Sequence, residues 1–90
     1  MTKALISVTG ADTTGIIARV STKLWEMNIN ILEITQTILS GYFTMMMVVD
    51  VSGCTVPLAE LCRIMEESGK ERNLSIRVQR EDIFDAMHRV

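Results

Sequence analysis

The chain has 90 residues and a formal net charge of −2; 48% of its residues are hydrophobic and 22% are charged. This length predicts one small domain with a modest core, to which a partner subunit would add. The nine basic residues are dispersed, which argues against nucleic acid as a partner, because phosphate binding needs clustered Lys and Arg. There is no membrane-length apolar run and no signal-like start. We therefore expect a soluble, cytoplasmic protein without a membrane partner.

The residues that metal binding and catalysis need are few. Cys54 and Cys62 form no CxxC pair, and His88 is the only histidine, whereas a zinc site needs four ligands. We expect free thiols, no metal and no cofactor. Cys54 follows Gly53 at the predicted start of the second helix, where a helix dipole could lower its thiol pKa. With no nucleophile beside a base and no matched acid pair, the sequence predicts no catalytic residue and no enzyme.

The first third of the chain predicts a strand followed by a helix. Residues 3–9 alternate between apolar and polar positions, as a strand does. Residues 14–27 change to helical spacing, with one apolar stripe formed by Ile16, Val20, Leu24 and Met27. Asn28 is expected to end this helix, because Asn tolerates the left-handed cap conformation.

Residues 29–39 and 42–51 predict two long strands joined by Ser40 and Gly41, a two-residue hairpin turn. One face should meet the helices, and its side chains are Leu32, Ile34, Ile38, Phe43, Met45, Met47, Val49 and Val51. The other face is mostly polar, with an apolar centre of Ile31, Met46 and Val48. We interpret the methionines as adaptable core residues and not as a ligand surface.

A second helix and a last strand complete the predicted domain. Thr55 is the predicted N-cap of the second helix, with Pro57 in its first turn. Gly69 lies on the buried face of this helix and indicates a close approach to the sheet. Residues 74–80 alternate as a strand, and residues 81–90 fit a short terminal helix.

The order βαββαβ predicts an α+β fold with a ferredoxin-like, two-layer arrangement: a four-stranded antiparallel sheet with two helices on one face. Several functions use this fold. An RNA-recognition domain would need aromatic residues on the open sheet face. A carrier of soft metals would need a cysteine pair in the first strand-to-helix turn. That turn is GADTTG here and contains no cysteine, which argues against metal transport.

That turn has the polarity of a small-molecule site. Gly10 and Gly15 would let the backbone bend and approach a ligand. The N–H groups and positive dipole end at the start of the helix favour an anion such as a carboxylate. Asp12 could hold the ammonium group of an amino acid, or it could only cap the helix.

The segment TGADTTGIIARVSTKLWEMNINILEI resembles the core of the ACT domain, through the D-x-x-G-I turn at 12–16 and the N-I-N-I entry at 28–31. The hairpin GYFTMMMVVD and the closing LSIRVQREDIFDAMHRV resemble a group of short, free-standing ACT proteins. The resemblance covers essentially the whole chain, as an ACT domain at 1–80 and a helical tail at 81–90.

The resemblance implies a regulatory module that senses an amino acid or related metabolite, acts without chemistry of its own and forms homodimers, often edge to edge. It implies a ligand at the first turn, facing the second strand of another copy. The residues placed around the ligand are Gly10, Ala11, Asp12, Thr13, Thr14, Gly15 and Ile16, with Asn30 and Ile31 opposite. Asn30 could instead only cap the strand entry, and Trp25 could pack against the second helix or against a neighbouring subunit. The alternative function is a ligand-free interaction module of the same fold that regulates a protein partner.

Overall fold

A computed structural model of the chain describes residues 2–11 and 15–80. The elements are β1 (Lys3–Gly10), α1 (Ile16–Glu26), β2 (Asn30–Leu39), β3 (Tyr42–Asp50), α2 (Leu58–Lys70) and β4 (Ser75–Arg80). The strands form one sheet in the order β2-β3-β1-β4, and every neighbouring pair is antiparallel. This confirms the ferredoxin-like prediction. The predicted tail helix, at 81–90, lies outside the described residues.

The core lies between the sheet and the two helices. Alternate residues of the two central strands are buried, as the period of a strand requires: Ala4, Ile6, Val8, Phe43, Met45, Met47 and Val49. Leu24, Leu61 and Met65 cover them from the helices. Met45 is fully buried and Met46, the next residue, is 38% exposed. The prediction that methionines fill the core is therefore confirmed for Met45 and Met47.

Both helices end in the same way, at an Asn in the left-handed region. Asn28 has φ 61° and Asn73 has φ 58°. After α1, the N–H of Ile29 donates to the carbonyl of Leu24 at 3.0 Å, and the N–H of Asn28 donates to Trp25 at 3.0 Å. These two bonds are the Schellman motif, which satisfies carbonyl groups that the helix end leaves free. The predicted role of Asn28 is confirmed.

Two further local predictions are confirmed. Ser40 and Gly41 have φ 52° and 81°, the left-handed pair of a type I′ hairpin. Gly69 touches the sheet, because a Cβ added to it would lie 2.7 Å from the carbonyl oxygen of Leu74 and 3.0 Å from Cγ1 of Ile76. This glycine lets α2 approach β4 closely.

Both helices begin later than predicted. α1 begins at Ile16 with Gly15 as N-cap, and α2 begins at Leu58 with Pro57 as N-cap. The prediction of Thr55 as N-cap was wrong. A proline disfavours the helical conformation of the residue before it, so α2 cannot begin at Val56. Cys54 therefore lies in the loop before α2 and not at its first turn.

The predicted burial of β2 was also wrong. Leu32, Ile34 and Ile38 are 43%, 44% and 69% exposed, because the helices leave this edge strand uncovered. The pairing with β3 shifts between Ile31 and Glu33, as a β-bulge does. Ile31 thereby lies opposite Val49, a core residue on the helix side, and not on the outer face.

Candidate functional site

The turn between β1 and α1 begins at a glycine that serves packing. Gly10 is buried and lies opposite Phe43. A Cβ added to Gly10 would collide with Cδ2 of Leu74, just before β4. A side chain at this position would therefore require the side chain of Leu74 to move. Ala11, which follows it, is exposed.

The turn ends at a second glycine with a different environment. Gly15 has φ 72°, and no atom of the described residues lies within 4 Å of a Cβ added to it. Its position is open, and its left-handed backbone is the reason why glycine is preferred there. The first helical bond runs from the N–H of Arg19 to the carbonyl of Gly15 at 3.0 Å. Ile16 is 4% exposed, so its side chain belongs to the core and only its backbone can serve a ligand.

The N-cap of α1 is Gly15, which has no side-chain acceptor. The alternative interpretation, that Asp12 only caps the helix, concerns a residue outside the described part of the chain and stays a prediction. Asp12, Thr13 and Thr14 lie outside the described residues. The N–H groups in the first turn of a helix have no acceptor within the helix.

A groove of about 490 Å³ runs from Gly15 between the two helices. It is lined by Gly15, Ala18, Arg19, Thr22, Lys23, Glu26, Ser68, Glu71 and Arg72. Arg19, Lys23 and Arg72 provide positive charge, while Glu26 and Glu71 provide negative charge. Both signs together suit a small zwitterion. Sequence reasoning missed these residues, because only the folded topology brings the C-terminal end of α2 beside the start of α1.

The other predicted ligand residues lie at the far end of the sheet. Asn30 pairs with Asp50, which in turn pairs with Lys3 at the start of β1. Gly10 is at the other end of β1, seven residues or about 23 Å away at about 3.3 Å per residue. One protomer therefore does not bring Asn30 or Ile31 to the first turn.

The first Asn of the N-I-N-I motif has a structural role. The side-chain Nδ2 of Asn28 donates to the carbonyl of Gly53 at 3.0 Å. A Cβ added to Gly53 would lie 2.9 Å from that nitrogen. The N–H of Thr55 also donates to the carbonyl of Met27 at 3.1 Å. These contacts fix the entry of β2 against the loop before α2.

The thiols belong to the packing between α2 and its neighbours. Cys54 and Cys62 are free and half-buried. The Sγ of Cys62 donates to the carbonyl of Val78 at 3.5 Å. Burial raises the pKa of the Cys62 thiol above its usual 9.0, and the nearby Glu66 raises it further. Within residues 2–11 and 15–80, no three His, Cys, Asp or Glu side chains are grouped to hold a metal. His88 lies outside the described residues.

Exposed apolar side chains lie on the edge strand β2 and on α1, and we call this set of residues the β2 edge surface. Trp25 is 78% exposed, so the alternative that it packs against α2 was wrong. Ile17 and Trp25 are the exposed large apolar residues of α1. The residues of this surface are Ile17, Trp25, Ile31, Leu32, Ile34 and Ile38. No helix in the described part of the chain is long and apolar enough to cross a membrane.

The sequence model of the ACT domain matches residues 2–79 of the chain. The chain belongs to the ACT domain family. This ACT domain is 48% identical over 90 residues to a UPF0237 protein of Bifidobacterium longum, and the alignment covers 100% of both chains. An ACT domain protein from Streptococcus pneumoniae has a solved structure that is 42% identical and superposes with a TM-score of 0.84, covering 97% of this chain and 98% of that one.

The fold of this ACT domain also occurs inside a larger enzyme. A formyltetrahydrofolate deformylase from Pseudomonas syringae pv. tomato superposes with a TM-score of 0.81 at 22% identity, over 89% of this chain and 28% of that one. At this identity the match concerns the fold alone. The match of the ACT domain model confirms the family predicted from the D-x-x-G-I turn and the N-I-N-I entry. ACT domains are typically regulatory, ligand-binding modules.

Proposed function

We propose that this ACT domain senses an amino acid or a related small carboxylate at the first turn, in a cytoplasmic homodimer. The observation that carries the proposal is the open, left-handed Gly15 at the start of α1. The N–H groups in the first turn of a helix have no acceptor within the helix, and the dipole there favours a negative charge. A carboxylate is the anion that these donors suit at neutral pH.

The charges beside Gly15 support a zwitterionic ligand. Arg19 lies one turn into α1, and Arg72 reaches the same groove from the end of α2. Arginine can bind a carboxylate through two parallel hydrogen bonds. Asp12, in the same turn, and Glu26, in the same groove, are carboxylates that could receive an ammonium group. An amino acid has both complementary charges.

The β2 edge surface supports the homodimer. β2 is a ten-residue edge strand with one charged residue, Glu33, and long apolar edges of this kind pair with another chain unless they are blocked. Antiparallel pairing of β2 with β2 of a second copy would lay Asn30 beside the opposite end of the partner strand. That end of the sheet is the one that carries Gly10 and Gly15. The dimer would thus complete a ligand site whose parts lie about 23 Å apart in one protomer.

We further propose that the module performs no catalysis. Among the described residues, Cys62 donates its thiol to a carbonyl and has a raised pKa, which keeps it in the unreactive thiol form at neutral pH. Regulation by binding requires no such group.

The proposal is tested by thermal melting of the protein with each of the twenty amino acids at millimolar concentration. We expect one or a few of the amino acids to raise the melting temperature. A ligand at a hundredfold its Kd stabilises the folded protein by about 2.7 kcal/mol. Arg19→Gln, Asp12→Ala and Asn30→Ala should remove the shift. Lys70→Gln and Gln36→Ala are the matched controls, because they change an exposed cation on α2 and an exposed amide on β2 away from the proposed site.

The exposed Trp25 and the β2 edge surface favour a second candidate function, a ligand-free module that binds a protein partner through this surface. Aromatic residues of this kind are common anchors in protein interfaces. This alternative predicts no thermal shift with any amino acid at millimolar concentration. It also predicts that Trp25→Ala abolishes binding of the protein partner while the variant remains folded.

A further inference from the structure

The outer face of the sheet, on the side away from the helices, has a small apolar centre. Leu5 lies opposite Val48, and Ser7 lies opposite Met46, on the neighbouring strands β1 and β3. Leu5 and Val48 are half-buried, and Met46 is 38% exposed. These side chains share one face because directly opposed residues of a sheet point to the same side.

Among residues 2–11 and 15–80, the charged residues of the outer face are separated by strand. Glu33 lies opposite Val48 and Asp50 lies opposite Lys3, so the acidic groups belong to β2 and β3. The basic groups, Lys3 and Arg77, belong to β1 and β4, since Arg77 lies opposite Ser7. The sheet order β2-β3-β1-β4 therefore gives the outer face one acidic half and one basic half.

A two-fold axis between β3 and β1, parallel to the strands, matches this face to itself. It lays β3 of one copy over β1 of the other, and β2 over β4. Val48 then meets Leu5 of the second copy, and the long Met46 meets the short Ser7. A two-fold interface forms each contact twice, because residue i meets j and j meets i.

The same axis brings the opposite charges together. Asp50 lies over Lys3 of the second copy, and Glu33 lies over the strand that carries Arg77, one row of side chains away. Two sheets that pack face to face cross at about 30°. At this angle the long side chains of Glu33 and Arg77 can span the one row that separates them. Charge complementarity of this kind suppresses wrong partners and fixes the register of the contact.

We propose that the outer face of the sheet binds a second copy of this chain, face to face, as an interface separate from the β2 edge surface. The area of a face of four short strands is roughly 500 Å² per copy at about 4.8 Å between strands. This area is below the roughly 800 Å² per partner of a stable complex. The association is therefore weak and depends on concentration. Face pairing joins two starting units, each of which is either the monomer or an edge-paired dimer. We call this step doubling.

The test is charge reversal, read by sedimentation equilibrium of the full chain between micromolar and millimolar concentration. Glu33→Lys and Arg77→Glu should each weaken the doubling step by roughly tenfold, because each reversal makes two like-charged pairs per dimer. The double variant Glu33→Lys/Arg77→Glu should return to within about threefold of the parent, since the two halves are exchanged. The parent association should also weaken at high salt.

Two further variants separate the face from other surfaces. Ser7→Arg fills the space beneath Met46 of the second copy and should abolish doubling. Glu66→Lys and Lys70→Glu, alone and together, are the matched controls, because they make the same charge changes at exposed positions of α2, and we expect no effect on doubling. Circular dichroism melting of each variant confirms that it is folded.

The proposal is overturned if the parent does not double by millimolar concentration, if the reversals leave doubling unchanged, or if the double variant fails to recover. In the first case another occupant, such as residues 81–90, would cover the face. Failure of this proposal is distinguishable from failure of the sensing proposal. Arg77 lies on β4, the edge strand opposite to β2, and takes no part in ligand binding or edge pairing.

Discussion

Gly69→Ala tests the claim that α2 and β4 are in close contact. In an open helix this change stabilises, because alanine has a helix propensity about 1 kcal/mol more favourable than glycine. Here the added Cβ would lie 2.7 Å from the carbonyl oxygen of Leu74 and 3.2 Å from Cδ1 of Ile76. The first of these neighbours is backbone and cannot rotate away. It also lies in the chain segment whose N–H closes the helix, the bond from Leu74 to Gly69 at 2.8 Å.

The magnitude follows from two opposing effects. Overpacking a tight interior contact costs about 1–3 kcal/mol, and the gain in helix propensity offsets about 1 kcal/mol of that cost. We expect a net loss of about 1–2 kcal/mol, which lowers the melting temperature by about 5–15 °C in a domain of this size. The propensity gain alone would raise the free energy of unfolding. A measured decrease therefore indicates the close contact between α2 and β4.

The assay is urea unfolding followed by circular dichroism, at one protein concentration for every variant, because association would shift the apparent stability. Glu66→Ala, an exposed position on the same helix, is the control and should change the free energy of unfolding by less than about 0.5 kcal/mol. If Gly69→Ala equals or exceeds the parent in stability, α2 does not contact β4 as described, and the packing role of this glycine is refuted.

Three further changes have expected outcomes. Ser40→Asn should raise the free energy of unfolding by about 0.5–1 kcal/mol in the same urea assay, because Asn tolerates the left-handed φ of 52° better than Ser. Met45→Ala should cost about 2–5 kcal/mol, as cavities in a core do, and Met46→Ala should cost less than about 1 kcal/mol; equal losses would contradict the assigned faces. The hydroxyl and N–H of Ser52 lower the pKa of Asp50 below its usual 3.8, so this carboxylate contributes stability above pH 3.8 that is lost as the pH falls through its folded pKa. Ser52→Ala should raise that pKa, as measured by carboxyl NMR titration, and no change would disprove the bond.

The sequence predicted the features of the fold that depend on neighbouring residues. Asn28 as a helix end and Ser40-Gly41 as a hairpin turn are local signals, and both have the expected left-handed backbone. Gly69 was predictable because glycine weakens a helix, so a glycine on its buried face indicates that a larger side chain would not fit there. Thr55 misled because a favourable cap residue was considered without the restriction that Pro57 places on Val56.

The sequence could not predict the environment of β2. Its apolar residues recur at the spacing of a buried strand, yet burial depends on where the helices lie, and they leave the edge open. The bulge between Ile31 and Glu33 breaks the alternation, so Ile31, before it, does not lie on the face that the residues after it imply. No composition signal marks a bulge in NILEITQTIL, so Ile31 was predicted on the wrong face.

The candidate site was predictable in part. The left-handed backbone of Gly15 is of the kind that a glycine-bounded turn predicts, and Gly10 packs against the side chain of Leu74; the role of both in ligand binding stays a prediction. Arg72 could not be found, because its place beside α1 depends on the crossover of a helix far along the chain. Three of the predicted ligand residues lie outside the described part of the chain, namely Asp12, Thr13 and Thr14. Their role stays a prediction.

The two apolar surfaces have a common physical origin. A chain of 90 residues in two layers can cover only one face of its sheet, and here the helices do not reach the β2 edge either. Partner copies are the simplest cover for both surfaces, since a small domain hides a smaller fraction of its surface than a large one does. The two proposed contacts would occupy different parts of the protomer: edge pairing would use β2, and face pairing would be centred on β1 and β3. A ligand at the first turn would then act on the edge contact, because of the two proposed contacts only that one would bring Asn30 of one copy to Gly15 of the other. The face contact would connect edge-paired dimers without touching the site.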